Sequence, residues 1–238
     1  MKDADMITLI GVGHVFAISE NVKELIRSRR PGIVCLELDP ARFNALVQKD
    51  ISKSVPIQYK LLAYFQKRMA SKFGSEVGDE MMAAVSAAQE IGAKVALIDM
   101  DAAAVFARLW RRMSFREKLH LFGGAFVGLF MSKETVEREM ERYEKHDEQY
   151  IEKIGDGFPA IKEVLIDDRN KFMAQKISSL SMQHGSIVAV VGDGHVPGLI
   201  EGLKPLEVEV IRLKDVRAPP KPPEPAAEFK TSFYYNNQ

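Results

Sequence analysis

Three things are scarce in this chain: it has one cysteine, no net charge and no apolar run long enough to cross a bilayer. The lone Cys35 excludes an intramolecular disulfide. Lys+Arg and Asp+Glu balance at 33 each, which removes both the extended positive field of a nucleic-acid binder and the acidic excess of a solvating tail. No nucleic-acid partner is therefore expected, and any ligand is met in a local pocket. The N-terminus has no basic segment followed by an apolar run and a cleavage site, so the chain is expected to be cytoplasmic. The apolar run 119–131 is interrupted by Gly123, Gly124 and Gly128. At about 1.5 Å per helical residue it reaches only about 20 Å, against a hydrocarbon thickness of about 30 Å, and it reads as a core helix or a dimer contact.

What is present is a five-residue phrase that occurs twice. Gly11-Val12-Gly13-His14-Val15 follows an apolar run at 6–10, and Gly192-Asp193-Gly194-His195-Val196 follows another at 187–191. Each reads as a buried strand that stops at a glycine turn carrying one histidine, with a helix beyond. Two such strands side by side would bring His14 and His195 together, which is how a two-histidine metal site is built from distant residues. A dinucleotide-binding turn needs a third glycine three residues after the second, and Phe16 and Pro197 stand there instead.

Between the two phrases the pattern is α/β. Residues 7–10 form a first strand, Ser19 is placed to cap a helix with Val22, Leu25 and Ile26 as its buried stripe, and Pro31-Gly32 ends it. Ile33-Val34-Cys35-Leu36 is a fully apolar run of the parallel-sheet kind that ends in Glu37-Leu38-Asp39-Pro40, completing a βαβ unit. Helices are expected from near Arg42, over 56–73 and over 78–91, the last closed by Gly92. The strand at 95–98 again ends in acid, Asp99-Met100-Asp101. Residues 102–184 read as a helical insertion whose charged stretch 134–154 supplies a homodimer contact, with a last long helix after Pro159. The strand at 187–191, a helix started by Pro197 and an alternating edge strand at 207–213 complete the domain.

Strand-end carboxylates carry the remaining chemistry. Glu37, Asp39, Asp99 and Asp101 are placed to complete a coordination sphere, since neutral imidazoles with one or two carboxylates suit Zn²⁺, Mn²⁺ or Co²⁺. The competing use of an acid after a strand is to cap the next helix, and Asp39-Pro40 is a good helix-start pair.

Several spaced phrases resemble one family in order: the Gly11–His14 turn, Glu37-Leu-Asp-Pro-Ala-Arg42, Gly78-Asp-Glu80-Met-Met-Ala-Ala, Ile98-Asp99-Met-Asp101, Val164-Leu-Ile-Asp167-Asp168-Arg169-Asn and the Gly192–His195 turn. Over about residues 6–213 the chain looks like the TraB/PrgY family of pheromone-shutdown-like proteins. That family is related to the Tiki proteins, whose two G-x-x-H motifs and glutamate are held to form a metal-dependent protease site. The resemblance implies His14, His195 and Glu37 as metal ligands and a peptide as substrate or ligand. It also raises Arg42, Glu80 and Arg169, the last as a fork for a substrate carboxylate or an oxyanion. Where the family's first motif commonly reads Gly-Thr-Ala-His, this chain has Gly11-Val12-Gly13-His14. Longer relatives carry membrane segments after the soluble domain, so membrane association is expected only of longer forms.

The expected architecture is an α/β domain over 1–216, with a mostly parallel central sheet flanked by helices and a large helical insertion before the last core strand, then a Pro-rich linker and tail over 217–238. The expected function is metal-dependent peptide hydrolysis, with Glu37 as first choice and Glu80 as second for the base that takes a proton from water. The alternatives are a binding protein that captures a peptide or anionic ligand without catalysis, and a membrane-associated scaffold.

Overall fold

The computed structural model describes residues 6–13, 18–48, 78–119 and 158–217. The readings made for His14, for 56–73, for the charged stretch 134–154, for nearly all of the apolar run 119–131 and for the tail beyond 217 fall outside those residues.

Five strands form one sheet in which every pairing is parallel: β1 (Ile7–Val12), β2 (Ile33–Leu36), β3 (Lys94–Leu97), β4 (Ile187–Gly192) and β5 (Val208–Ile211). Their spatial order is β3-β2-β4-β1-β5. The two strands that end in the repeated phrase are therefore neighbours, with Val12 opposite Gly192. The first βαβ unit is wider than the sequence implies, because β4 lies between β1 and β2.

Side chains alternate across the strands and build two cores. On the first face Ile10, Val12, Val34, Leu36, Val188 and Val190 meet Val22 and Ile26 of α1 (Ser19–Arg29) and Met81, Ala84 and Ala88. The last three lie on a helix that follows the short α2 (Pro40–Val47), namely α3 (Asp79–Ile91). On the second face Ile7, Leu9, Ile33, Cys35, Ala189 and Val191 meet Met173, Ala174 and Ile177. Those three belong to α5 (Asp168–His184), and α6 (Val196–Leu203) adds Val196, Leu199 and Leu203. This three-layer arrangement buries runs such as Ile-Val-Cys-Leu on both sides, which is why they are apolar without interruption. Burial pushes the Cys35 thiol up to about 12.

Between β3 and α5 the described elements are helical: α4 (Ala102–Arg112), then a single turn Pro159–Ile161 that runs through a π-helical stretch, Lys162–Asp167, into α5. Val105, Leu109 and Met113 of this region pack on Ala160 and Val164 as a small third cluster. A short α7 (Leu213–Arg217) closes the described part.

Local signals account for most boundaries. Asp39 accepts from Ala41 N and Arg42 N at 2.8 and 3.0 Å and caps α2, with Pro40 as its first residue. Gly92 takes the left-handed conformation that ends α3. Ser19 is not the cap it was expected to be: α1 begins at Ser19 itself after Ile18, with no side-chain cap bond. Among the described residues no helix is long and apolar enough to cross a membrane.

Candidate active site

A helix that leads directly into a parallel strand runs antiparallel to it, so its N-terminus lies at the carboxyl edge of the sheet. α3 precedes β3 and α5 precedes β4, which puts Glu80 on one face of that edge and Arg169 and Asn170 on the other. Around β4 the connections also part: the chain leaves β1 and β2 toward helices of the first face, and β4 toward α6 of the second. The carboxyl end of β4, flanked on both sides by strands whose connections depart to the opposite face, is a topological switch point where ligands of α/β sheets bind.

Glu37 reaches this crevice from the end of β2, its own N–H still bonded to Val190 O of β4 at 3.1 Å. Its carboxylate is buried, at 6% exposure, and held from several sides. Oε2 accepts from Gly192 N at 2.6 Å, and Oε1 accepts from Arg169 Nη2. A Cβ on Gly192 would come within 3.3 Å of Oε2, so the glycine is what lets the turn approach the carboxylate.

His195 closes the 3₁₀ turn Asp193–His195 that follows β4 and is 5% exposed. Its Nδ1 is 2.7 Å from Asn170 Oδ1. An amide oxygen only accepts, so Nδ1 carries the proton and the other ring nitrogen of a neutral His195 keeps a lone pair. That atom, Nε2, stands 3.4 Å from Glu37 Oε1. Two acceptors therefore face each other, an arrangement that calls for a cation or a proton between them. Ligand atoms bound to one tetrahedral ion at about 2.0–2.2 Å stand roughly 3.3–3.6 Å apart, so this pair fits a shared divalent ion.

Arg169 joins the two strand-end acids. Nε and Nη2 donate to Asp99 at 3.0 and 2.8 Å, Nη2 also reaches Glu37, and Nη1 donates to Leu165 O at 3.2 Å. Burial works against its charge, but the Glu37 and Asp99 carboxylates outweigh that and hold the guanidinium above its ordinary range. Asp99 accepts further from Met100 N at 2.8 Å, and its Oδ2 is 3.1 Å from Arg42 Nη2. Arg42 Nη2 also donates to the Glu37 carbonyl. Arg42 Nε is 3.3 Å from Asp39 Oδ2, an ion pair without hydrogen-bond alignment. Glu37, Asp39 and Asp99 against Arg42 and Arg169 leave one formal negative charge beside His195.

The predicted residues thus separate. Glu37, His195, Arg169, Asp99 and Arg42 form one connected group. Glu80 is buried in the first turn of α3 at the same edge. Asp101 is exposed and caps α4 through Ala104 N at 2.8 Å, outside the Glu37–His195 pair. Among the described residues no group of three or more His, Cys, Asp or Glu is placed to hold a metal, and His14 is not among them.

The sequence reading passed over three parts of the site. Asn170 orients His195, and its side chain fits only because the residue facing it is Gly198, where a Cβ would be 2.0 Å from Asn170 Nδ2. The signal was an amide directly after Arg169 and a glycine directly after Pro197. Asp193 takes two bonds from Arg212, at 2.9 and 2.8 Å, and one from Leu213 N at 2.9 Å, tying the His195 turn to the end of β5. Its carboxylate lies on Gly11 of the first phrase, where a Cβ would be 2.2 Å from Asp193 Oδ1.

The model of the TraB/PrgY/gumN family matches residues 1–210. An uncharacterized protein of Methanocaldococcus jannaschii is 34% identical over 229 residues, covering 87% of this chain and 57% of the relative, so the chain spans a little over half the length of that protein. The order of phrases, the parallel sheet that carries them and these two similarities lead to one assignment: the chain belongs to the TraB/PrgY/gumN family.

Proposed function

We propose that this protein is a divalent-metal-dependent peptide hydrolase whose centre is the His195–Glu37 pair. The observation that carries the reading is the facing of His195 Nε2 and Glu37 Oε1 at 3.4 Å, with Nδ1 committed to Asn170. His195 and Glu37 hold the ion, and His14, two positions after the last residue of the neighbouring β1 in sequence, is proposed as the third ligand. Asn170 is the outer partner that fixes the tautomer and direction of a ligating imidazole. Bound there, a Mn²⁺, Co²⁺ or Zn²⁺ ion would supply Lewis-acid polarisation of a peptide carbonyl and of water.

The chain's own groups do the rest. Glu37 is fastened by Arg169 and Gly192 N, which suits a ligand better than a base that must take and release a proton. The base role passes to Glu80, the other buried glutamate at the carboxyl edge. Arg169, bonded to both Asp99 and Glu37, ties the two strand-end acids together and keeps the crevice in shape. A homodimer joined through the helical insertion is part of the same proposal.

The test is cleavage. Purified protein is incubated with each ion and a set of short peptides, and products are read by mass spectrometry. Cleavage by the wild type, lost in His195→Ala, supports the reading. Peptide binding without cleavage under any ion moves the protein to the second reading, a peptide-binding regulator, which the bonds of Glu37 to Arg169 and Gly192 N also accommodate.

A further inference from the structure

α4 ends at Arg112, and a capping box starts the next helical turn, 115–119: Ser114 N donates to Glu117 Oε2 at 2.7 Å and Glu117 N to Ser114 Oγ at 3.2 Å. Glu117 also accepts from Ala160 N at 3.3 Å, which fastens the turn to the start of the next described segment. Phe115 is 80% exposed and Leu119 64%, and at a spacing of four they share one side of this turn. Phe115 is the one exposed aromatic residue among those described. Single exposed apolar side chains are ordinary on a protein surface; what singles out this corner is the charge around it.

From Ala102 to Ser132 the sequence holds five Arg and Lys against one acid, Glu117, in a chain whose net charge is zero. Arg108 is tied to Asp168 at 2.9 Å and Arg112 to Glu163 at 2.5 Å. Lys118 Nζ lies over the Trp110 ring, 4.8 Å from its centroid, and so joins the end of α4 to the turn. Arg111 and Arg116 are exposed and make no ion pair or hydrogen bond among the described residues.

We infer that this corner rests on a membrane surface that carries anionic lipid, with Phe115 and Leu119 entering the acyl boundary and Arg111 and Arg116 meeting lipid phosphates. Apolar and aromatic side chains flanked by cations are what an interfacial helix presents, and each cation near such a surface adds attraction that salt screens. The attachment is peripheral, since among the described residues no helix is long and apolar enough to cross a membrane. A protein partner would need a pocket shaped for two protruding side chains and acids set opposite two arginines. A layer of phosphates over hydrocarbon supplies both without a matching shape. The inference is independent of the metal at His195.

Trp110 is the chain's one tryptophan, so the corner carries its own reporter. The full chain is titrated with vesicles of phosphatidylcholine alone and of an equal mixture with phosphatidylglycerol, and partition is read by sedimentation and by Trp110 emission. The expected result is partition roughly tenfold stronger or more into the anionic vesicles, with a blue shift of Trp110, falling toward the neutral value in about 0.5 M salt. Phe115→Ser with Leu119→Ser, and separately Arg111→Gln with Arg116→Gln, should each weaken it by roughly tenfold while melting temperatures stay near wild type, because all four side chains are exposed. Equal partition into both vesicles, no partition into the anionic ones, or wild-type partition in both paired variants overturns the inference. A dimer by light scattering that Phe115→Ser with Leu119→Ser splits, in a chain that ignores vesicles, also overturns it and gives the face to a second copy. The wild-type comparison of the two vesicles needs no variant to fold.

Discussion

His195 Nδ1 and Asn170 Oδ1 are 2.7 Å apart, and this bond decides which ring nitrogen His195 turns toward Glu37. Asn170→Ala should therefore lower affinity for Mn²⁺ or Zn²⁺ by about 10- to 100-fold, the usual cost of losing a partner behind a metal-ligating histidine. Gly198→Ala should do the same while both Asn170 and His195 keep their identity, because its Cβ would meet Asn170 Nδ2 at 2.0 Å and Cγ at 2.8 Å and push the amide off His195. Calorimetric metal titration of both variants checks this. Wild-type affinity in both would leave Asn170 a packing residue only.

Asp193 holds the His195 turn to the end of β5 and lies against Gly11 of β1. Asp193→Ala removes the carboxylate that accepts from both Arg212 and Leu213 N. It should cost about 2–3 kcal/mol in urea unfolding, in the range for charged hydrogen bonds lost in a part-buried pair. A change within about 0.5 kcal/mol, the scale of an ordinary surface substitution, would refute the clamp.

Acid should loosen the β5 edge. Glu209 accepts from Arg29, at 2.8 Å to Nε and 2.5 Å to Nη2, and from Thr8 at 2.8 Å. The hydrogen bond from Arg29, ahead of that from Thr8 and the Arg29 charge, holds its carboxyl below the usual glutamate range against partial burial. A folded value below the unfolded one gives stability that is fully present above the unfolded value, roughly 4.3, and is lost as pH falls through the folded value. Denaturant midpoints of wild type and Glu209→Gln should therefore converge on acidification below about pH 4. A gap that stays constant from pH 6 to pH 3 would show that Glu209 contributes by shape alone.

Much of this architecture could be read from residues. Pure apolar tetrads marked the central strands, Asp39-Pro40 marked the start of α2, Gly92 the end of α3 and Pro197 the start of α6, because each is a local signal with a local cause. The strand boundaries moved by one or two residues; β3 occupies Lys94–Leu97 where the apolar pattern pointed to 95–98, and β5 occupies Val208–Ile211 where it pointed to 207–213. What local signals do not carry is order across the sheet, so the insertion of β4 between β1 and β2 emerged only in the fold. The site divides in the same way. Glu37 and His195 stood out because a charged or ring side chain directly after a buried strand is conspicuous. Asn170, Asp193 and Arg212 did not, since their work lies in whom they meet across 25 and 19 positions of sequence. The π-helical stretch before Arg169 also had no sequence mark: its residues read as ordinary helix formers.

The central claim is that His195 and Glu37 share a divalent ion, and metal titration of the purified, metal-stripped chain tests it most directly. The account predicts saturable binding of Mn²⁺, Co²⁺ or Zn²⁺ at one ion per chain, with affinity falling at least tenfold in both His195→Ala and Glu37→Gln while each variant stays folded. Wild-type protein that takes up no more metal than the two variants would contradict it.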